Sequence, residues 1–260
     1  MKYTTHKIIE AIMADQTIKH VSTARILLLG EAGVGKSRLT DLLAMSIDTP
    51  THSSRTVGNL WWSVQVRLHE YPSNKGMPPT PEWTSASSPS SSSHSSEPFA
   101  SFKGFRDRAA SACEMIPYFV EFYDLKSSMR MPREHRNRLF RNIDGIILVY
   151  DLLDMRTHDN LHDLLYHPLR QICRYRHNRL RPILSRHHVP ILVVGTKLDM
   201  LQSRRLHRSG GIAYQLSTDE ILLNCLDTDS FAEKSRNEAK LRKFLNNAID
   251  FKHFFPARRN

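Results

Sequence analysis

Short apolar blocks separated by glycine turns and polar stretches run along the chain, and their spacing predicts strands alternating with helices. Ile26-Leu27-Leu28-Leu29, between Arg25 and Gly30, reads as a buried strand. Leu39, Leu42 and Leu43 follow at helical spacing. Residues 62–68 alternate, with Trp62, Val64, Val66 and Leu68 on one face and Ser63, Gln65 and Arg67 on the other, as in a half-buried strand suited to a sheet edge. Tyr118 to Asp124 is another strand, and Ile146 to Tyr150 is a continuous apolar one, as expected for the centre of a parallel sheet. Leu161, Leu164, Leu165, Leu169 and Ile172 mark a helix. Ile191 to Val194 is the next buried strand, ending at Gly195, and Ile221 to Cys225 is a last short one. From Glu233 onwards, Leu241, Phe244, Leu245, Ala248 and Ile249 form the apolar face of a final helix. Strands alternating with helices imply a three-layer α/β domain with a mostly parallel sheet.

Three segments break the pattern. Residues 1–23 form a mixed extension in which Ile8, Ile9, Ile12 and Met13 share one weak face. Residues 72–111 are rich in Ser and Pro, with Ser90 to Ser93 in a row, and bury too little apolar surface to offset their ordering entropy. This stretch reads as a disordered insertion. Residues 174–188, rich in Arg and His, read as a second, solvated insertion.

The chemistry gathers where strands end, which is where such sheets bind ligands. Gly30 to Ser37 spells GEAGVGKS between a strand and a helix, matching G-x-x-x-x-G-K-[ST]. Gly33 and Gly35 permit a turn whose backbone N–H groups face phosphates. Lys36 sets a positive charge on the outer phosphates, and Ser37 offers a hydroxyl to Mg²⁺. Val34 and Arg38 complete the expected phosphate contacts. Asp124, ending a strand, is a second oxygen donor for Mg²⁺. Thr56, in Thr56-Val57-Gly58, is placed to reach Mg²⁺ and the γ-phosphate. Gly195-Thr196-Lys197-Leu198-Asp199 closes a buried strand. An aspartate here can accept hydrogen bonds from guanine N1–H and its exocyclic amine, a pair of donors that adenine lacks. Lys197 can lay its stem over the purine.

Composition adds little to this reading and excludes some others. The 260 residues carry a formal net charge of +11. That favours acidic partners, but no RNA- or DNA-binding signature accompanies it, so no specific nucleic acid is expected. Cys113, Cys173 and Cys225 show neither metal-ligand spacing nor a disulfide framework and suit a reducing, cytoplasmic setting. No apolar run is long enough to span a bilayer, and the terminal FFPARRN contains no cysteine for a lipid anchor, so attachment to endomembranes would need a partner.

Together GEAGVGKS, TVG, YFVEFYDL and GTKLD resemble the Ras superfamily of small GTPases, nearest to the Rab type. The resemblance runs from Arg25 to about Phe254 and implies a P-loop GTPase domain over 24–255 with insertions at 72–111 and 174–188, followed by a short basic tail, 256–260. It implies GTP or GDP with Mg²⁺ as cofactors, and a switch acting in signalling or vesicle transport. Asn224 and Cys225, in LLNC, would by this resemblance sit beside the guanine base. Effectors and regulators would meet the Thr56 loop, the Trp61-Trp62 region, and the stretch from Asp124 to Arg141. A homodimer stays open.

Two departures bear on catalysis. Where the family has Asp-x-x-Gly, this chain has Asp124-Leu125-Lys126-Ser127, and Ser128 stands where a glutamine would orient the attacking water. No catalytic residue is assigned, and intrinsic hydrolysis is expected to be weak. A nucleotide-holding scaffold without appreciable hydrolysis is the other reading. A P-loop kinase or ATPase is disfavoured by Asp199.

Overall fold

The computed structural model describes residues 21–44, 57–58, 62–73, 114–125, 131–176, 189–201 and 211–256. The expectations for Thr56, Trp61, Ser127 and Ser128 lie outside these residues, as do those for most of both insertions and almost all of the N-terminal extension.

Seven strands form one sheet, in the order β2-β3-β4-β1-β5-β6-β7. They are β1 (Ser22–Leu29), β2 (Val57–Gly58), β3 (Trp62–Ser73), β4 (Glu114–Leu125), β5 (Gly145–Asp151), β6 (Ile191–Thr196) and β7 (Glu220–Leu222). β1 runs parallel to both β4 and β5, β5 to β6, and β6 to β7, whereas β2 and β3 are antiparallel. The helices are α1 (Lys36–Ala44), α2 (Arg133–Arg141), α3 (Arg156–Asp159), α4 (Leu161–Arg176), α5 (Ile212–Gln215) and α6 (Arg236–Phe254).

Alternation along the central strands builds the two faces. Leu27, Leu29, Ile146, Leu148, Ile191 and Val193 point into a core shared with Leu139 and Phe140 of α2 and Leu161, Leu165 and Leu169 of α4. Their neighbours Ile26, Leu28, Ile147, Val149, Leu192 and Val194 point the other way, onto Leu39 and Leu43 of α1 and Leu241, Phe244 and Leu245 of α6. Each fully buried Leu, Ile or Phe contributes about 1.5–3 kcal/mol. The three-layer α/β architecture therefore follows from period-two strands facing apolar helix stripes on both sides. α6 starts at an N-cap: Ser235 Oγ accepts the N–H of Glu238 at 3.0 Å.

Some boundaries differ from those read in the sequence. β3 continues through Ser73 and β4 begins at Glu114, so the segment between these strands is shorter at its start than 72–111. α4 continues through Arg176, which removes 174–176 from the second insertion. The last strand ends at Leu222 rather than Cys225. Leu223 lies beyond it, buried, with its N–H donated to Gly195 O at 3.0 Å. Leu223 still carries the sheet's bonding to β6, and the chain turns away from the sheet at Asn224 and Cys225.

β3 departs more deeply. It lies one place in from the edge, outside which stands the two-residue β2. Its polar residues Ser63, Gln65 and His69 are the buried ones, while Trp62, Val64, Val66 and Leu68 are half-exposed. The polar side chains have partners on the helices beneath. Gln65 Nε2 donates to Asp41 Oδ1 of α1 at 2.6 Å, and His69 Nε2 lies 2.8 Å from Asn246 Oδ1 of α6, a contact in which the imidazole N–H donates. Buried polar groups are tolerated when paired.

Burial pushes the His69 imidazole down to about 4, against a weaker opposing effect of its Asn246 hydrogen bond. The native state thus holds His69 neutral while the unfolded chain takes up a proton near pH 6.5. The stability from this site is complete above that pH and is lost as pH falls toward 4. The expected loss is about 3 kcal/mol across the window. Urea unfolding at neutral and acidic pH should show the loss in the parent chain and a flatter profile in His69→Gln.

Candidate functional site

The carboxyl ends of β1, β4, β5 and β6 lie side by side because the strands are parallel and in register, with Leu28 opposite Asp124, Leu29 opposite Leu148, and Asp151 opposite Thr196. Everything proposed as a ligand contact and described in the structure hangs from these ends or from the turn after β7.

The glycine loop leaves β1 at Gly30, where an added Cβ would stand 2.3 Å from the carbonyl oxygen of Val149. Gly33 and Gly35 hold φ values of +82° and +92°, a region that disfavours side chains. α1 begins at Lys36, and its first intrahelical bond runs from Leu39 N to Gly35 O at 2.9 Å. The N–H groups of its first turn therefore point into the loop, and that turn contains no acidic side chain to satisfy them. Lys36 Nζ folds back to donate to Gly30 O at 2.9 Å and Glu31 O at 2.6 Å. Desolvation lowers its pKa, offset in part by the Asp124 and Glu31 carboxylates. An ammonium short of solvent beside free amides is an arrangement suited to an anion. Arg38 is exposed on the first turn of α1, and Val34 is buried beneath the loop.

Ser37 and Asp124 meet, with the hydroxyl donating to Asp124 Oδ2 at 2.5 Å. Asp124 is buried, and its Oδ1 has no hydrogen-bond partner among the described residues. A carboxylate oxygen left bare beside a hydroxyl fits a hard cation such as Mg²⁺, which takes oxygen donors. Among the described residues no group of three or more His, Cys, Asp or Glu side chains could hold a metal on its own. The donor set here is thus one that phosphate and water oxygens would complete.

Across the sheet end, Lys197 takes up a left-handed conformation, φ 62°, and its ammonium pairs with Asp151 Oδ2 at 2.5 Å. Leu198 and Asp199 follow in an exposed single turn. Leu198 N donates to Leu223 O at 3.3 Å, which brings Asn224 and Cys225 alongside. Asn224 caps its own turn, accepting Leu226 N–H on Oδ1 at 2.9 Å. Burial, together with the Asp199 carboxylate, pushes the Cys225 thiol up to about 11, so Asp199 and Cys225 are close neighbours.

Three further residues brace the site, and one of them, Thr196, joins its two halves. Thr196, fully buried, lies with its hydroxyl 2.6 Å from Val34 O and 3.0 Å from Tyr150 O, tying the glycine loop to β5 and β6. Asp151 orients Lys197. Asn160 Nδ2 donates to Glu31 Oε1 at 2.5 Å. Of the three, only Thr196 falls within a sequence motif, Gly195 to Asp199.

A family model described as Ras family matches residues 132–237. Similar proteins extend the likeness over the rest, glycine loop included. Rab-like protein 3 of Mus musculus is 25% identical over 89% of this chain and 86% of its own length. That of Xenopus tropicalis is 27% identical over 87% and 84%, and that of Homo sapiens 24% over 88% and 86%. The chain is thus similar to the Ras family over 132–237 and to Rab-like proteins over most of its length. Ras-family proteins bind guanine nucleotides, typically with Mg²⁺, and generally hydrolyse GTP. No helix among the described residues is long and apolar enough to cross a membrane.

Proposed function

We propose that the chain is a guanine-nucleotide switch with weak intrinsic GTP hydrolysis. The observation that carries this is the convergence of two half-sites on one sheet end, bridged by the Thr196 hydroxyl. One half is the Gly33–Ser37 loop with Asp124, and the other is Lys197–Asp199 with Asn224 and Cys225. In this reading the loop amides and Lys36 hold the phosphates, Asp199 accepts from the guanine edge, and the Lys197 stem, aimed by Asp151, covers the purine. Bound Mg²⁺ would neutralise phosphate charge; Ser37, Asp124 and Thr56 are the residues to hold it. Thr56 would then order its loop in response to the γ-phosphate.

Weak hydrolysis rests on the residues after Asp124. Ser127 has a side chain where the family's glycine offers a bare N–H, and Ser128 is too short to orient water as a glutamine does. Effectors and regulators are proposed to read the Thr56 loop and the Asp124 to Arg141 region, and the Rab-like likeness supports a role in intracellular transport or signalling. Single-turnover hydrolysis of bound GTP separates the switch from a scaffold. A slow rate above solvent hydrolysis is expected. A rate equal to that of free GTP would leave the nucleotide-holding scaffold as the function.

A further inference from the structure

α2 and α4 pack against each other through Leu139, Phe140, Leu165 and Leu169. Above that seam the two helices carry a cationic, aromatic face. Arg133 and Arg136 stand one turn apart on α2, and Tyr166, His167 and Arg170 stand together on α4. Phe140 of α2 meets the His167 ring edge-on, 6.2 Å between centroids. Desolvation, and then the positive charge of Arg136, Arg170 and Arg133, lowers the His167 pKa, in keeping with the packing of the two helices at this seam.

The arginines of this face are not neutralised by ion pairs among the described residues. Arg133, Arg136 and Arg170 make no ion pair among the described residues, in contrast to Arg242 and Lys243 on α6, which pair with Glu238 and Asp219. The two carboxylates of α2 and α4, Glu134 and Asp163, are exposed and join no ion pair among the described residues. Arg136 Nε is shielded from water and has no hydrogen-bond partner among the described residues. Tyr166 is 58% exposed beside Arg170.

We propose that the α2–α4 face, through Arg133, Arg136, Tyr166, His167 and Arg170, docks an acidic segment of a partner protein. Planar guanidiniums bind carboxylates through two parallel hydrogen bonds, and the exposed Arg133 and Arg170 offer such forks. Arginine and tyrosine together are the residues enriched at protein interfaces. A lipid surface would favour a run of lysines near a flexible or amphipathic segment, and neither helix contains a lysine. The proposal deepens the partner reading of the Asp124 to Arg141 region and does not depend on nucleotide chemistry.

The test uses the full chain and a fluorescein-labelled oligoglutamate peptide. The parent protein should bind it saturably. The variant Arg133→Ala/Arg136→Ala/Arg170→Ala should bind about tenfold more weakly, since three charge contacts are lost. A control, Arg236→Ala/Arg242→Ala/Lys243→Ala, should bind like the parent. A triple lysine variant at 133, 136 and 170, which keeps the charge and loses the fork, should fall between. An unchanged affinity in the alanine variant, or an equal loss in the control, would overturn the proposal. So would binding to phosphatidylserine-doped phosphatidylcholine vesicles or duplex DNA that depends on these arginines while peptide binding does not. Guanosine diphosphate affinity, measured on the same proteins, should be equal in all; its absence from every one would count against the nucleotide reading alone.

Discussion

Lys36→Ala lowers the affinity for guanosine diphosphate by roughly a hundredfold or more, because truncating one member of a desolvated, hydrogen-bonded charge pair costs about 2–5 kcal/mol. The ammonium lies in a loop with few other cations: Arg38 is exposed on the following turn, and Lys197 is committed to Asp151. Its contacts to the carbonyls of Gly30 and Glu31 hold it over the loop, so the variant loses a positioned charge rather than a floppy one. Those contacts also brace the loop itself. Titration with a fluorescent guanosine diphosphate analogue gives the affinity, and thermal unfolding without nucleotide shows whether the loop still folds. A folded variant that binds as tightly as the parent would remove Lys36 from the site.

Asp199→Asn should weaken guanosine diphosphate by a similar factor and raise the affinity for xanthosine diphosphate. A carboxylate accepts from both the N1–H and the exocyclic amine of guanine. The amide of asparagine keeps one acceptor and turns a donor toward a donor, which forfeits a charge-assisted bond and leaves two N–H groups opposed, about 2–3 kcal/mol or more. Xanthine has a carbonyl where guanine has the amine, so the same amide N–H gains a partner. The Cys225 thiol, held neutral by burial and by the Asp199 charge, does not compete for that role. Competition between the two nucleotides on parent and variant measures the exchange of preference. An equal loss for both bases would mean that Asp199 does not read the purine.

Much of this site is visible in the sequence because its chemistry needs particular backbones. Positive φ at two points of a tight loop selects Gly33 and Gly35, and a strand before it with a helix after it fixes which way the amides point. Asp124 was legible for a related reason: it ends an apolar alternation, and parallel register sets it opposite Leu28, one strand from the loop. Thr196 was harder. It reads as a substitute for asparagine in a short motif, while its contact to Val34 joins residues 162 positions apart, which no local pattern encodes.

β3 shows what periodicity omits. Alternation assigns Trp62, Val64, Val66 and Leu68 to one face and Ser63, Gln65 and Arg67 to the other. Which face is buried depends on Asp41 and Asn246, supplied by α1 and α6 from distant sequence. At the end of β7, Leu223 is buried and its N–H still bonds Gly195 O of β6, so the chain leaves the sheet only after it, with Asn224 and Cys225 beside the Lys197–Asp199 turn. The basic residues of α2 were legible as a solvated helix face. Their convergence with Arg170 and His167 of α4 required the helix pairing.

The most direct measurement is to purify the full chain, denature it, and identify the small molecule released by chromatography and mass. A guanine nucleotide, GDP or GTP, is expected, as is competition by guanine but not adenine nucleotides for reloading. Release of an adenine nucleotide, or ATP displacing labelled GDP, would contradict the account.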